Sequence, residues 1–265
     1  MTKAATGQSP SAGAARPLRN HDHTLEPVSP WTRHLQNPWV GLLVILGATF
    51  LAYSPVWQCA YIWDDDDYVT KNVHLRTLDG LWRLWIPKTT RQYYPAVFST
   101  FWLEYQLWGL RPLGFHLVNV LLHAVNGILV WRIAARLKIP GAWMIGAVFA
   151  LHPVHVESVA WITERKNVLS GLFYLSSMLA YLRFDRLRGT ARLQQVADIL
   201  GSGWRWYVLS LALFVLALLS KSVTCSLPAA LILVMLWQRK PFTIAQLAPL
   251  APMFVSYSPN SDCKS

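Results

Sequence analysis

Charged residues are scarce in this 265-residue chain, and acidic residues are scarcer still. Asp, Glu, Lys and Arg make up 14% of the sequence, and only 13 residues are Asp or Glu. Cysteine is also rare: Cys59, Cys225 and Cys263 are odd in number, far apart and at no metal-ligand spacing. They indicate neither a disulfide framework nor a zinc site. Because 54% of the residues are hydrophobic, a disordered or fibrous chain is excluded as well.

Long uncharged runs take up much of the remaining sequence. A helix needs about 20 mostly apolar residues to cross a bilayer, and six runs approach that length. They lie at residues 39–57, 112–131, 139–156, 167–184, 206–220 and 222–238. The last two are predicted to be separate spans because a single helix of their combined length would overshoot a bilayer. The predicted fold class is therefore all-α, a polytopic membrane protein with about six transmembrane helices.

The formal net charge of +11 would suggest nucleic acid as a partner if the basic residues formed one surface. They instead follow the positive-inside rule. With the N-terminus in the cytoplasm, the larger share of Lys and Arg falls in cytoplasmic segments. The charge thus indicates membrane topology, with lipids as partners and no nucleic acid. Residues 1–37, which are polar and rich in Ala, Gly, Ser and Pro, are predicted to be a disordered cytoplasmic arm.

The first predicted outer loop opens with four consecutive carboxylates, Asp64 to Asp67. They could simply be a solvated run that caps a following helix. Alternatively, flanking aromatic residues shield some of them, and one acts as a general base or the cluster binds Ca²⁺ or Mg²⁺. Later in this loop, apolar residues recur at three- and four-residue spacing over residues 78–86. This spacing predicts an interfacial helix, and the aromatic stretch 93–108 predicts a second one.

A second outer segment, residues 152–167, contains His155, Glu157 and Arg165. Its His and Glu residues do not match a recognised zinc pattern, and helix capping explains them without a metal ion. An arginine at the outer end of a helix bundle suits a phosphate group, which it can bind with two hydrogen bonds. Lys221 separates the last two apolar runs. It is either a functional cation at membrane depth or a lysine that extends its amine from the end of a span.

Three of these segments resemble a known family. The sequence Trp63-Asp64-Asp65, the segment 152–162 with Arg165, and Leu219-Ser220-Lys221-Ser222 are similar to the polytopic glycosyltransferases that bacteria often fuse to tetratricopeptide repeats. They are also similar to eukaryotic transmembrane O-mannosyltransferases that modify cadherins. The resemblance covers residues 38–250. It implies a GT-C fold in the bacterial inner membrane, a polyprenyl-phosphate-linked sugar as donor and a protein hydroxyl as acceptor.

The resemblance also implies roles for six side chains. Asp64 and Asp65 match the acidic pair, one of which would deprotonate the acceptor hydroxyl. Arg165 and Lys221 would bind the donor phosphate, and His155 with Glu157 would shape the outer pocket. No metal ion is required, although a divalent cation at Asp64 to Asp67 is left as an alternative.

The sequence departs from this family near its end. Relatives carry further spans and soluble helical repeats, whereas residues 251–265 form an atypical tail that becomes polar after Val255, and no 34-residue repeat is present. A truncation or frameshift is the simplest interpretation, which would leave the domain at residues 38–250 incomplete. The alternative to an enzyme is a non-catalytic membrane fragment or assembly subunit. A transporter is a third class, but no inverted repeat supports it.

Overall fold

The computed structural model describes residues 38–90, 92–190, 203–239 and 243–255. Within these ranges the chain forms helices and turns and no strand, which confirms the all-α prediction. The predicted cytoplasmic arm and residues 256–265 of the predicted atypical tail lie outside the described residues.

Eleven α-helices lie in the described part of the chain. They are α1 (Pro38–Ala52), α2 (Leu78–Arg83), α3 (Pro95–Trp108), α4 (Pro112–Arg136), α5 (Ala142–Leu151), α6 (Val156–Ala160), α7 (Arg165–Thr190), α8 (Trp204–Ser220), α9 (Leu227–Trp237), α10 (Ile244–Leu247) and α11 (Ala251–Val255). Shorter 3₁₀ or π-helical turns connect several of them. Proline stands at the start of α3 and of α4, where its missing N–H leaves no hydrogen bond unmade.

Helix α4 lies at the centre of the bundle and packs against α1, α5 and α7, while α8 packs along α7. The contact between α4 and α5 depends on two glycines. A Cβ atom placed on Gly146 would lie 2.7 Å from the carbonyl oxygen of Gly127, and one placed on Gly127 would lie 3.2 Å from that of Gly146. The two backbones therefore approach each other directly, as small residues allow in bundles of apolar helices.

The helix lengths support only part of the predicted membrane topology. Among the described residues, α4 is the one helix that is both long enough and apolar enough to cross a bilayer. Helix α5 passes that test only together with residues 153–160, to which it is joined at a 47° bend. Helices α1 and α8 and residues 222–237 are apolar but shorter. The number of six spans stays a prediction.

The first predicted outer loop folds as a separate layer. Helix α2 forms where the apolar spacing predicted it and α3 where the aromatic stretch did, and both pack on the turn at residues 73–76. Aromatic and aliphatic side chains from this loop share a core with the starts of α4 and α7. This core contains Tyr68, Val69, Leu75, Leu84, Val97, Phe98, Phe101, Phe115, Ile162 and Leu169. The loop thus holds the acidic motif against the helix bundle.

Candidate functional site

Asp65 joins the two outer segments that the sequence singled out. Its side chain is fully buried. One carboxylate oxygen accepts a hydrogen bond from the backbone N–H of Ile62 at 2.9 Å. The other accepts the backbone N–H of Thr163, also at 2.9 Å, and the Thr163 hydroxyl. Because residues 65 and 163 are far apart in sequence, this carboxylate fixes the position of the acidic motif relative to the start of α7.

The neighbouring carboxylates have different surroundings. Asp64 and Asp67 are exposed. Asp66 accepts a hydrogen bond from the Thr70 hydroxyl at 2.7 Å and forms an ion pair with Lys71 at 3.0 Å. The hydrogen bond from Thr70, followed by the contact with Lys71, lowers the pKa of the Asp66 carboxyl. The four-residue motif therefore presents one buried anchor and three carboxylates that reach solvent.

A local backbone feature allows this division. Trp63, directly before the motif, has a positive φ of 47° and is 80% exposed. Its ring contacts that of Trp161 edge-on, with 5.2 Å between the centroids. A left-handed conformation is uncommon for a residue as bulky as tryptophan. The chain turns sharply here, which lets Asp65 point inward while Asp64 stays at the surface.

Arg165 is also fully buried and is surrounded by acceptors from the protein itself. Its guanidinium forms a two-pronged ion pair with Glu104, in which Nη2 lies 3.1 Å from Oε2. It also donates to the side chain of Asn119, to the Thr100 hydroxyl at 3.3 Å and to the Phe115 carbonyl at 2.9 Å. The guanidinium thus links α3, α4 and α7. Its predicted role in binding the donor phosphate remains a prediction.

The Glu104–Arg165 pair was not predicted from the sequence. Burial raises the pKa of the Glu104 carboxyl, while the nearby guanidinium opposes that rise. The hydroxyl of Tyr61 is buried in the same region, and none of the described residues accepts a hydrogen bond from it. Burial raises its pKa, and the carboxylates of Asp65 and Glu104 add to the effect. An acidic residue isolated within an uncharged stretch, as Glu104 is, was the available signal for a buried ion pair.

Lys221 lies in a polar cluster at the break between α8 and α9. Its amine donates to the side-chain oxygen of Asn167, whose amide in turn donates to the Ser158 hydroxyl at 3.0 Å and to Glu164. Glu164 also pairs with Lys166 at 2.8 Å, and both side chains are mostly buried. Two amines and one carboxylate thus lie close together in this cluster, where the break at Lys221 meets the segment that Asp65 anchors. Such a surplus of positive charge suits an anionic group.

His155 and Glu157 lie earlier in the same segment, residues 152–167. The His155 ring packs at 4.5 Å from that of Phe149 and at 5.1 Å from that of His123. Glu157 is exposed on α6. The structure thus places His155 in an aromatic cluster and Glu157 at the surface, and their predicted contribution to an outer pocket stays a prediction.

Helix α4 also carries a polar face that was not predicted from the sequence. His116, Asn119, His123 and Asn126 recur at spacings of three, four and three residues, which places them on one face of a helix. All four are at most 2% exposed. Asn119, His123 and Asn126 each lie within 3.0 Å of a backbone carbonyl oxygen on a neighbouring segment. These carbonyls belong to Trp161, Ala150 and Val168. Asn119 thus ties the outer segment at residues 152–167 to α4, whereas His123 and Asn126 tie α5 and α7 to it. The spacing of these four residues could have identified the face.

No metal centre is formed by the described residues. Within those ranges, no three His, Cys, Asp or Glu side chains are placed to hold one ion. The alternative of a divalent cation at Asp64 to Asp67 stays a prediction.

Comparison with known proteins yields relatives but no match to a family model and no match to a solved structure. Over 101 residues, or 37% of its length, the chain is 42% identical to a Mus musculus protein named protein O-mannosyl-transferase TMTC2. It is 38% identical over 130 residues, or 48% of this chain, to Drosophila melanogaster protein O-mannosyl-transferase Tmtc1. It is 28% identical over 226 residues, or 76% of this chain, to the protein O-mannosyl-transferase TMTC4 of Mus musculus.

The matched regions cover 12% of the TMTC2 protein, 13% of the Drosophila protein and 29% of the TMTC4 protein. The chain therefore spans less than a third of the length of these curated relatives. What the comparisons establish is similarity to one part of proteins that are named as O-mannosyltransferases, which is consistent with a glycosyltransferase.

Proposed function

We propose that this chain is the membrane-embedded part of an O-mannosyltransferase-like glycosyltransferase. It would move a sugar from a polyprenyl-phosphate donor to a Ser or Thr hydroxyl of a protein on the outer face of the bacterial inner membrane. The observation that carries this proposal is the Asp65–Thr163 contact. It brings together the acidic motif and the second outer segment, which are two of the three segments that resemble this kind of enzyme.

The membrane setting is supported by the orientation of α4. This helix buries its polar face, whereas Leu113, Leu117 and Leu121 on another face are each 39–46% exposed. In water the opposite arrangement is expected, because apolar side chains favour the interior. A helix that buries His and Asn and exposes leucine suits an environment of lipid chains, where polar groups must find partners inside the protein. The exposed Trp82 and Ile86 near α2 likewise suit an interfacial position.

The two aspartates are proposed to have separate roles. Asp64 is exposed and would be the general base that takes the proton from the acceptor hydroxyl. Asp65 would be a positioning residue, since its oxygens are occupied by Ile62 and Thr163. Lys221 would stabilise the negative charge that develops on the donor phosphate.

The transfer itself would be a single displacement. As Asp64 removes the proton, the acceptor oxygen forms a bond to the anomeric carbon of the sugar. The bond from that carbon to the phosphate oxygen breaks, and the electron pair leaves with the polyprenyl phosphate. The configuration at the anomeric carbon inverts, and no covalent sugar–enzyme intermediate is needed. This scheme requires no metal ion, although a divalent cation at Asp64 to Asp67 is kept as an alternative. His155 and Glu157 would shape the pocket around the sugar or the acceptor.

The proposal is tested with membranes that contain the chain, a radiolabelled mannosyl polyprenyl phosphate and Ser/Thr-containing acceptor peptides. Asp64→Asn and Asp65→Asn should each abolish transfer without preventing membrane insertion. Asp66→Asn is the matched control, because it removes one carboxylate from the same motif at a position that pairs with Lys71. It should retain most of the activity.

Two outcomes would contradict the proposal. Transfer retained by both Asp64→Asn and Asp65→Asn would show that the acidic pair does not carry the reaction. Stable insertion without any transfer by the unmodified chain would favour the alternative function, a non-catalytic membrane fragment or assembly subunit.

A further inference from the structure

A cavity with a basic rim lies between the helices, lined by residues from the C-terminal half of α4, from α7 and from α8. It encloses about 660 Å³. Four arginines line it, two from the last turns of α4 and two from α7, and no Asp or Glu is among its described lining residues. These arginines are Arg132, Arg136, Arg183 and Arg186. Like charges at this density repel one another unless an anion lies between them.

The neighbouring acidic group offsets only a small part of this charge. Asp185 lines an adjoining cavity of about 410 Å³, which shares Arg136 and Arg186 with the first. The two cavities together therefore hold four guanidinium groups and one carboxylate from these helices. Lys138 also lines the second cavity and adds a further positive charge.

Two of the guanidinium groups show features of a formed binding site. The Nε–H of Arg136 is buried, and no described residue accepts a hydrogen bond from it. An unpaired buried donor of this kind is costly unless a ligand satisfies it. The guanidinium of Arg183 stacks on the ring of Trp206 at 4.1 Å, which restricts its orientation. An arginine held in this way presents a planar pair of donors that matches the oxygens of a phosphate.

The rest of the lining indicates how such an anion would be carried. Between the arginines, the walls are apolar and include Leu129, Leu179, Leu209 and Leu213. A small soluble anion would make no favourable contact with these leucine side chains, whereas the acyl chains of a lipid would pack against them. In addition, the positive-inside assignment places all four arginines on the cytoplasmic side, where anionic lipid headgroups are concentrated.

We propose that this cavity binds the phosphate headgroup of an anionic phospholipid, with the acyl chains against the leucines of α4, α7 and α8. The site is separate from the outer segments that carry the proposed reaction, so it requires the membrane setting but not transferase activity. Bound lipid would link the end of α4 to the end of α7 and fix the cytoplasmic side of the bundle.

The test is native mass spectrometry of the full chain released from detergent micelles. The micelles contain dioleoyl-phosphatidylglycerol or, as a neutral comparison, dioleoyl-phosphatidylcholine, and a third sample contains dioleoyl-phosphatidylglycerol with added inorganic phosphate. One phosphatidylglycerol per chain should be retained in preference to phosphatidylcholine. Arg136→Gln/Arg183→Gln should lower phosphatidylglycerol affinity about 30-fold, from about 1 kcal/mol per lost cation.

The matched control is Arg76→Gln/Arg111→Gln, which removes the same charge from exposed positions outside this cavity. It should bind phosphatidylglycerol as the unmodified chain does. Arg132→Gln, at an exposed position on the rim, provides a milder variant if the double variant fails to fold.

Equal binding by the cavity variants and the unmodified chain would overturn the proposal, and so would an equal loss in the control. Equal retention of phosphatidylcholine would show that the headgroup charge is not recognised. If inorganic phosphate competes away the lipid at low concentration, the site binds free phosphate and the lipid assignment is wrong.

Discussion

The buried ion pair between Glu104 and Arg165 allows a direct test of how the outer layer is held together. Glu104→Gln keeps the size of the side chain but removes its charge, which leaves the guanidinium buried without a counter-charge. Because Arg165 is fully buried and Glu104 is 4% exposed, solvent cannot replace the lost partner. Breaking a buried pair in this way costs about 3–5 kcal/mol. For a chain of this size that corresponds to a melting temperature lower by about 10 °C.

The assay heats the detergent-solubilised chain and measures, by size-exclusion chromatography, the fraction that stays monodisperse at each temperature. Glu157→Gln is the matched control, since it makes the same substitution at an exposed position. It should melt within about 2 °C of the unmodified chain, because substitutions at exposed positions usually change the free energy of unfolding by less than about 0.5 kcal/mol. A Glu104→Gln variant that melts together with this control would refute the structural role of the pair.

The same pair separates two roles for Arg165. Arg165→Lys keeps the charge but cannot reproduce the two-pronged contact with Glu104 or the donation to Asn119. If Arg165 acts within the protein, this variant is destabilised. Combining it with Glu104→Gln should then cost less than the sum of the two, because both changes remove one interaction. If Arg165 instead binds the donor phosphate, Arg165→Lys should weaken donor binding at an unchanged melting temperature.

Three further predictions concern packing, anchoring and topology. Gly146→Ala places a methyl group against a backbone carbonyl of α4 and should destabilise the chain by about 1–3 kcal/mol. Gly47→Ala, where nothing lies within 4 Å, should be neutral or stabilising in the same heating assay. Thr163→Val removes the hydroxyl that is hydrogen-bonded to the buried Asp65 carboxylate and should lower the free energy of unfolding by about 2 kcal/mol. Thr163→Ser keeps a hydroxyl and should lower it less; equal losses would argue against that hydrogen bond. In a variant whose other cysteines are replaced by serine, exposed Cys59 should react with an impermeant thiol reagent in intact cells. Labelling only after permeabilisation would contradict an outer first loop.

The approximate positions of the longer helices could be predicted from the sequence, but not all of their ends: the run at residues 39–57 becomes α1 at Pro38–Ala52, and the run at 139–156 is interrupted after Leu151. The break at Lys221 is a clear case, because α8 ends at Ser220 and α9 begins at Leu227 after a 3₁₀ turn. The helices at residues 78–83 and 95–108 also form where apolar spacing and the aromatic stretch predicted them. Such features depend on local spacing, which a single sequence displays. The number of spans is different, since helix length depends on how neighbouring segments pack and bend.

The partners within the site could not be predicted in the same way. Asp65 and Thr163, or Glu104 and Arg165, lie far apart in the chain, and a single sequence gives no direct record of such pairs. The sequence shows an acidic motif flanked by aromatic residues and an isolated Glu104, but it does not show which residues these carboxylates contact. The polar face of α4 is intermediate: its spacing was visible, whereas its bonds to the backbone carbonyls of other segments were not.

The division of the acidic motif follows from ordinary costs of burial rather than from the reaction. A buried carboxylate is stable only when hydrogen bonds replace its hydration, and Asp65 has three donors from two residues. Its side chain is also fully buried, so a substrate hydroxyl cannot reach it without a rearrangement of the surrounding residues. Asp64, one residue earlier, is exposed and needs no such compensation. In the proposed mechanism the two aspartates would therefore divide the work: buried Asp65 would anchor the motif, and exposed Asp64 would act as the base.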